Sequence, residues 1–116
     1  MKRLIAAFFN SIAGLREGFR SEVAIRQELL LLLISIPIVP IITLEPWRML
    51  MLWASLLLVL LTELLNTGIE QMANRLTKEF APEIKLAKDC GSAAVLIATI
   101  IAAGIWGLVL YDVWYR

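Results

Sequence analysis

Three long apolar runs, separated by short polar segments, dominate the hydrophobic pattern of this chain. They are Leu29–Leu44, Met49–Thr62 and Cys90–Tyr111. The third run, about 22 residues without a charge, is long enough to span a bilayer as a helix. The first covers only about 24 Å as a helix, so neighbouring residues must extend it to cross a core of about 30 Å. The pattern predicts an all-α membrane protein with transmembrane helices at about residues 26–44, 47–75 and 89–112.

The first twenty residues follow a different pattern, with large apolar side chains on one side of a helix. Five of them fall within an arc of about 80° at 100° per residue: Leu4, Phe8, Ile12, Leu15 and Phe19. This amphipathic pattern predicts a helix over residues 1–21 that lies on the membrane surface. A cleaved signal peptide is the competing interpretation, but Leu4–Phe9 is a short apolar region and charges soon follow it.

Composition and charge distribution support a membrane protein and suggest its orientation. Hydrophobic residues make up 60% of the chain and charged residues 18%, whereas soluble domains are about 45–50% apolar and about 25% charged. Nine of the eleven lysines and arginines precede the first run or lie between the second and third. The positive-inside rule therefore places the amino terminus and the 75–88 loop in the cytoplasm. The predicted turn at Glu45-Pro46-Trp47-Arg48 and the carboxyl terminus then face outward.

The composition also excludes several kinds of site. The chain has no histidine, so a catalytic triad or a histidine-ligated zinc site is ruled out. Its single cysteine, Cys90, cannot form an intrachain disulfide, and the six glycines are too scattered for a phosphate-binding loop. Any catalysis or metal binding must use carboxylates, amides, hydroxyls and lysines.

The most informative feature is a polar stripe on the second predicted membrane helix. At 100° per residue, five polar side chains share one face of it: Glu63, Asn66, Thr67, Glu70 and Asn74. An ionised group at depth costs about 2.5–3.5 kcal/mol on insertion scales, and such residues usually mark function. A hydrogen-bonded seam between helices is the alternative, but two neighbouring glutamates repel unless a cation or a proton lies between them.

Two further polar clusters lie at the same predicted depth. One precedes the first membrane helix and the other precedes the third: Glu22, Arg26, Gln27 and Glu28, then Lys88, Asp89 and Ser92. Taken singly, each suits an ordinary helix start, with a Glu22–Arg26 ion pair and capping by Asp89 or Ser92. Together they place carboxylates and a lysine at one level, as a magnesium-bound nucleotide phosphate requires.

Three segments resemble the small integral-membrane bacterial diacylglycerol kinases, a family that also includes undecaprenol kinases. They are EVAIRQE (22–28), TELLNTGIE (62–70) and AKDCGSAAVLIA (87–98), the last being more similar to the diacylglycerol branch. The resemblance implies a homotrimer in the bacterial inner membrane, with active sites shared between subunits. It also implies that ATP phosphorylates the primary hydroxyl of diacylglycerol to give phosphatidate in phospholipid recycling.

The resemblance further implies roles for individual residues. Glu63 matches the general base, and Glu22 and Glu70 match carboxylates that bind Mg²⁺. The implied nucleotide-binding residues are Asn10, Glu22, Glu70, Glu79, Lys88 and Asp89. The implied lipid-binding residues are Arg3, Glu28, Glu63, Asn66 and Ser92. Asn74 departs from the family's usual aspartate, which keeps hydrogen bonding at this position but removes a charge.

Two other classes of function remain open from the residues alone. In a proton- or ion-conducting oligomer, Glu63 and Glu70 would form a relay, but Lys88 would have no role. In a non-catalytic scaffold, the polar stripe would only set helix register. Small residues on the third membrane helix, Ala94, Ala98 and Ala102, with Gly91 and Gly104 near the same face, predict close helix packing, either within one subunit or between subunits. Nothing in the sequence indicates a nucleic-acid partner.

Overall fold

The computed structural model describes residues 1–115 and contains four helices. These are α1 (Lys2–Ser21), α2 (Val23–Ile42), α3 (Pro46–Leu76) and α4 (Pro82–Trp114). Helices α2, α3 and α4 are each long and apolar enough to cross a membrane. The predicted all-α architecture with three membrane-spanning helices is therefore confirmed. Arg116, one of the two cations assigned to the outer side, lies outside the described residues.

Two prolines begin helices α3 and α4, and both move a predicted boundary. Proline suits the first turn of a helix, where its missing N–H costs no hydrogen bond. Pro46 therefore starts α3, and the predicted turn at 45–48 is wrong, because residues 43–45 alone separate α2 from α3. Pro82 starts α4 well before residue 89. Asp89 and Ser92 thus lie inside the helix and cannot cap its start.

Helix α3 is central, since it packs against both α2 and α4. The bundle has two ends. The α1 end contains α1, the start of α2, the end of α3 and the start of α4. The far end contains the end of α2, the start of α3 and the end of α4. An apolar cluster of Val39, Leu52 and Val109 holds the far end together.

Small residues allow α3 and α4 to approach closely in the middle of the bundle. Ala98 and Ala102 are buried against Val59 and Leu58 of α3. Two of the three alanines predicted to allow close packing therefore pack within one subunit, whereas Ala94 is exposed. The alanines lack long side chains, so α4 can lie against α3 without a gap between the helices.

Helix α1 contacts the bundle only near its carboxyl end. Gly18 is its one buried residue, and Phe8 and Phe19 are exposed. Arg26 of α2 donates hydrogen bonds to the carbonyls of Phe19 and Arg20, at 3.1 Å each. The expected Glu22–Arg26 ion pair is therefore wrong for residues 1–115. A cationic side chain at a helix end satisfies carbonyls that lack a partner inside the helix, and this competes with the ion pair.

Candidate functional site

The polar stripe of α3 lies at the α1 end of the bundle and faces its interior. Glu63, Asn66, Thr67 and Glu70 are all half-buried, and Asn74, one turn further on, is exposed. The Nδ2 atom of Asn66 donates to Oε1 of Glu70 at 3.4 Å. An uninterrupted helix thus presents two carboxylates and an amide in a row, at the spacing expected from the sequence.

Carboxylates from two helices come close together around this stripe. Glu63 lies within electrostatic range of Glu70 and of Glu22, and Glu28 lies within range of Glu63. Glu22 is the residue between α1 and α2, so the break between these helices brings it near α3. A cation or a proton would relieve the repulsion between such closely placed carboxylates.

Two buried oxygens of the site have no hydrogen-bond partner within residues 1–115. They are Oε2 of Glu28 and Oδ1 of Asn66. A buried polar atom without a partner costs about 1–3 kcal/mol, so such atoms are rare in the absence of a ligand, a water or a partner chain. Both oxygens are acceptors, which fits a ligand that carries hydroxyl groups.

Helix α4 contributes a second group of charges at the same end. The ammonium of Lys88 donates to Oδ1 of Asn74 at 3.0 Å, across the α3–α4 connection. Asp89 instead pairs with Lys85, one turn earlier on α4, at 2.6 Å. Lys88 makes no ion pair within residues 1–115, because the side chain that holds it is a neutral amide. Its positive charge therefore remains uncompensated by a bonded carboxylate.

A cleft of about 880 Å³ that includes charged side chains opens beside Lys88. It is lined by the end of α3, the start of α4 and the segment between them, including Asn74, Lys78, Glu79, Phe80, Lys88 and Asp89. The backbone N–H of Glu79 donates to the hydroxyl of Thr77 at 3.0 Å, which orders this segment. Three residues that the resemblance assigns to nucleotide binding, Glu79, Lys88 and Asp89, thus share one cleft.

The remaining predicted site residues are exposed. Arg3 and Asn10 lie on α1, and Ser92 lies on α4 just after Asp89. None of the three makes a side-chain hydrogen bond or an ion pair with the stripe in the part of the chain that the structure describes. The fold therefore places Glu22 and Glu28 near the α3 stripe and groups Glu79, Lys88 and Asp89 in the cleft, and it leaves Arg3, Asn10 and Ser92 apart from both.

The donor set of the site fits a hard cation. Glu22 and Glu70 offer carboxylate oxygens, which are ligands that Mg²⁺ prefers. No group of three or more acidic or cysteine residues within residues 1–115 forms a complete metal site. Mg²⁺ commonly binds through one or two carboxylates together with substrate phosphates and water. The residues present therefore fit an ion shared with a nucleotide and do not form an all-protein cage.

An apolar groove of about 350 Å³, which the sequence pattern did not predict, runs along α2, α3 and α4. Ile34, Ile38, Leu56 and Ala103 line its length, and Glu28 lies at the α1 end. The groove thus leads from the apolar middle of the bundle to the carboxylates. Ala102 and Ala103 have small side chains, which leave space for the groove. Only the tertiary structure shows that α2 residues form its opposite wall.

Comparison with known proteins identifies the family. Residues 9–110 match the model of prokaryotic diacylglycerol kinase. The chain belongs to the prokaryotic diacylglycerol kinase family. The matched range contains every predicted site residue except Arg3, so the family expected from the sequence and its lipid kinase class are confirmed.

Curated relatives from several bacteria agree over nearly the whole chain. The chain is 37% identical to the diacylglycerol kinase of Escherichia coli K12, covering 95% of this chain and 90% of the relative. It is 36% identical to that of Pseudomonas aeruginosa, covering 95% and 89%. It is 34% identical to that of Haemophilus influenzae, covering 96% and 94%. With its three spanning helices, this family member is a bacterial multi-pass membrane protein.

Proposed function

We propose that this member of the prokaryotic diacylglycerol kinase family transfers the γ-phosphoryl group of ATP to the primary hydroxyl of diacylglycerol, giving phosphatidate in phospholipid recycling. The observation that carries the proposal is the family match over residues 9–110. That range includes the α3 stripe, the carboxylates around it and the cleft beside Lys88. A phosphoryl transfer needs mainly positioning and neutralisation of charge.

Glu63 is the proposed general base. It accepts the proton of the lipid hydroxyl while the oxygen attacks the γ-phosphorus, and ADP leaves. The carboxylate is half-buried and follows the apolar start of α3, which supports a role near the depth of a lipid hydroxyl. Glu70 is seven residues further along α3, about 10.5 Å at 1.5 Å per residue. The base and the proposed metal ligand thus lie at different depths on one stripe.

Lys88 is the proposed phosphate contact, and Asn74 holds it. The cleft beside Lys88 has room for a nucleotide, and Glu79 and Asp89 line it. Glu22 and Glu70 would hold Mg²⁺ together with the nucleotide phosphates, and the ion would neutralise phosphate charge. Asn10 of α1 is a further proposed nucleotide contact, which requires α1 to approach the cleft in the assembled protein.

The apolar groove is the proposed path of an acyl chain of the lipid. Its walls are apolar, and it ends near Glu28, whose buried Oε2 lacks a donor within residues 1–115. The ester region of the lipid has no donor, so at this depth it would exclude water from Glu28 and leave the hydroxyl to Glu63. Arg3, Asn66 and Ser92 complete the proposed lipid contacts.

The proposal extends to assembly and orientation. Most of the apolar surface of the three spanning helices is exposed in a single subunit. We propose a homotrimer with shared sites in the bacterial inner membrane. In this arrangement α1 lies on the membrane surface, and the α1 end of the bundle faces the cytoplasm. The excess of lysine and arginine at the α1 end supports this orientation.

Purified protein in detergent, given Mg²⁺, ATP and candidate lipids, tests the proposed reaction. The expected result is phosphatidate formed from diacylglycerol at a rate that depends on both ATP and Mg²⁺. Phosphorylated undecaprenol without phosphatidate would assign the chain to the undecaprenol branch. No lipid-dependent ATP consumption with any candidate would contradict the kinase reaction, and proton or ion flux in liposomes would then support a conducting oligomer.

A matched pair of variants tests the groove. Ala103→Phe fills the groove and should raise the KM for diacylglycerol several-fold while leaving the KM for ATP unchanged. Leu96→Phe adds a ring to an exposed position on the same helix, away from the groove, and should change neither constant. Equal effects of the two substitutions would contradict the proposed path of the acyl chain.

A further inference from the structure

Helix α4 touches the polar stripe of α3 at a glycine. Gly91 is buried, and a Cβ atom added to it would overlap Oδ1 of Asn66. The same Cβ would lie 3.3 Å from Cγ of Asn66 and 3.4 Å from Cδ1 of Ile69. The side-chain amide of Asn66 therefore occupies the space that any residue other than glycine would need at position 91.

The hydrogen bond to Glu70 determines which way the Asn66 amide faces. Its Oδ1 atom points at Gly91 and is buried, and its Nδ2 atom donates to Oε1 of Glu70. Turning the amide over would place its carbonyl oxygen against the Glu70 carboxylate. Two acceptors would then face each other, and the hydrogen bond to the carboxylate would be lost. The amide can therefore serve Glu70 only while α4 leaves this space open.

At the other glycines of the membrane helices, no neighbouring side chain occupies the space of an added Cβ atom. A Cβ atom at Gly68 on α3, or at Gly104 or Gly107 on α4, would meet nothing within 4 Å. Gly91 is helical and its φ is negative, so alanine has no backbone strain there. At position 91, in contrast, an added Cβ atom would have to displace the end of the Asn66 side chain, beside Ile69.

We infer that Gly91 is a positioning residue of the kinase reaction. By lacking a Cβ atom, it allows the Asn66 amide to lie between α4 and Glu70 and to hold that carboxylate in one orientation. Gly91 acts through Asn66 and contacts neither the nucleotide nor the lipid. The inference rests on the proposed function, in which Glu70 binds Mg²⁺ with the nucleotide.

Gly91→Ala tests this role against Gly104→Ala, the same change on the same helix at an open position. Gly91→Ala should lower kcat at least tenfold and raise the Mg²⁺ concentration needed for half-maximal rate several-fold. The KM for diacylglycerol should change less than the Mg²⁺ requirement, because Asn66 is only one of several proposed lipid contacts. Gly104→Ala should leave all three quantities unchanged. Unaltered kcat and Mg²⁺ dependence in Gly91→Ala would overturn the inference.

Metal binding supplies a readout that does not depend on turnover. Electron paramagnetic resonance of Mn²⁺, titrated into detergent-solubilised protein with a non-hydrolysable ATP analogue, reports the fraction bound. Gly91→Ala should weaken Mn²⁺ binding several-fold relative to Gly104→Ala. If the unchanged protein phosphorylates no lipid, the proposed function fails, yet this titration still tests whether Gly91 governs the metal site. Equal Mn²⁺ affinity in both variants would overturn the inference.

A double substitution separates positioning from general packing. Asn66→Ala removes the side chain that Gly91 accommodates, so adding Gly91→Ala to it should cause no further loss of kcat or Mn²⁺ affinity. If Gly91→Ala alone fails to fold, the double variant should recover folding, because the overlap is gone. A full additional loss, or continued misfolding, in the Asn66→Ala background would contradict the inference.

Discussion

The two ends of the helical bundle are built differently. At the far end, Arg48 and Asp112 form an ion pair between α3 and α4. Nε1 of Trp106 donates to the carbonyl of Leu52 at 3.3 Å and to the hydroxyl of Ser55 at 3.1 Å. At the α1 end, Glu63 has no bonded cation within residues 1–115, and Asn66 holds Glu70 through a long hydrogen bond.

The two ends therefore differ in role: the far end mainly stabilises the bundle, and the α1 end holds the groups proposed for catalysis. The far end pairs opposite charges and buries apolar side chains, an arrangement that favours one fixed packing of three helices. The polar stripe at the α1 end places like charges together and leaves Oε2 of Glu28 and Oδ1 of Asn66 buried without partners, whereas Nε1 of Trp53 is the one such atom at the far end within residues 1–115. Such an arrangement costs stability in the absence of ligands, and binding of a cation or substrate would recover that cost. Substitutions at the two ends should therefore affect different measurements.

The largest effect is expected from Glu63→Gln. The amide cannot accept the proton of the lipid hydroxyl, so kcat should fall about 10²–10⁴-fold, the usual contribution of a general base. Affinity for ATP and the free energy of unfolding should change little, because glutamine has nearly the same shape. Phosphatidate formation measures kcat, nucleotide titration measures the affinity for ATP, and reversible unfolding in mixed micelles measures the free energy of unfolding. Glu45→Gln, the same change at an exposed far-end position, is the control and should retain full turnover.

Lys88→Met should produce the next largest effect. Loss of the ammonium removes a charge beside the proposed phosphates, so the KM for ATP should rise about tenfold, equivalent to about 1.4 kcal/mol. Arg75→Met removes a positive charge from the exposed last turn of α3 and should change this KM much less. Similar KM values for the two variants would show that Lys88 acts only through the overall charge of this end.

Asp112→Asn should lower stability while preserving turnover. Arg48 and Asp112 are partly exposed, with side-chain exposures of 28% and 33%. Loss of one charge should therefore cost about 1–2 kcal/mol, between the values for exposed and buried pairs. Reversible unfolding in mixed micelles measures this change, and the folded fraction should keep its specific activity. Adding Arg48→Gln should cost less than its separate effect, because the pair is already broken.

Ser55→Ala should give the smallest change. The hydroxyl of Ser55 donates to the Leu52 carbonyl at 2.7 Å and accepts from Trp106, so its loss should cost about 1 kcal/mol. Ser11→Ala removes the same kind of bond, to the carbonyl of Ala7, on exposed α1 and should cost less. The folded fraction of Ser55→Ala should keep its specific activity. A loss of specific activity would contradict the separate roles of the two ends.

The sequence determined the helices and the residues of the stripe. Apolar runs of membrane-spanning length and one polar face on α3 predicted the helix count and the co-location of Glu63, Asn66 and Glu70, because helical periodicity is local. The quoted segments predicted the family. The pattern missed the early start of α4 at Pro82, because the hydrophobic pattern alone does not mark where a helix continues into water.

Only the tertiary structure decided which partners each polar side chain has. Arg26 of α2 binds the last carbonyls of α1, and Lys88 of α4 binds Asn74 of α3. These choices depend on the distances between helices, which helical periodicity does not contain. The same holds for Gly91, which carries no chemistry of its own. Its importance arises because α4 approaches α3 so closely that the Asn66 amide fills the space where a side chain would be.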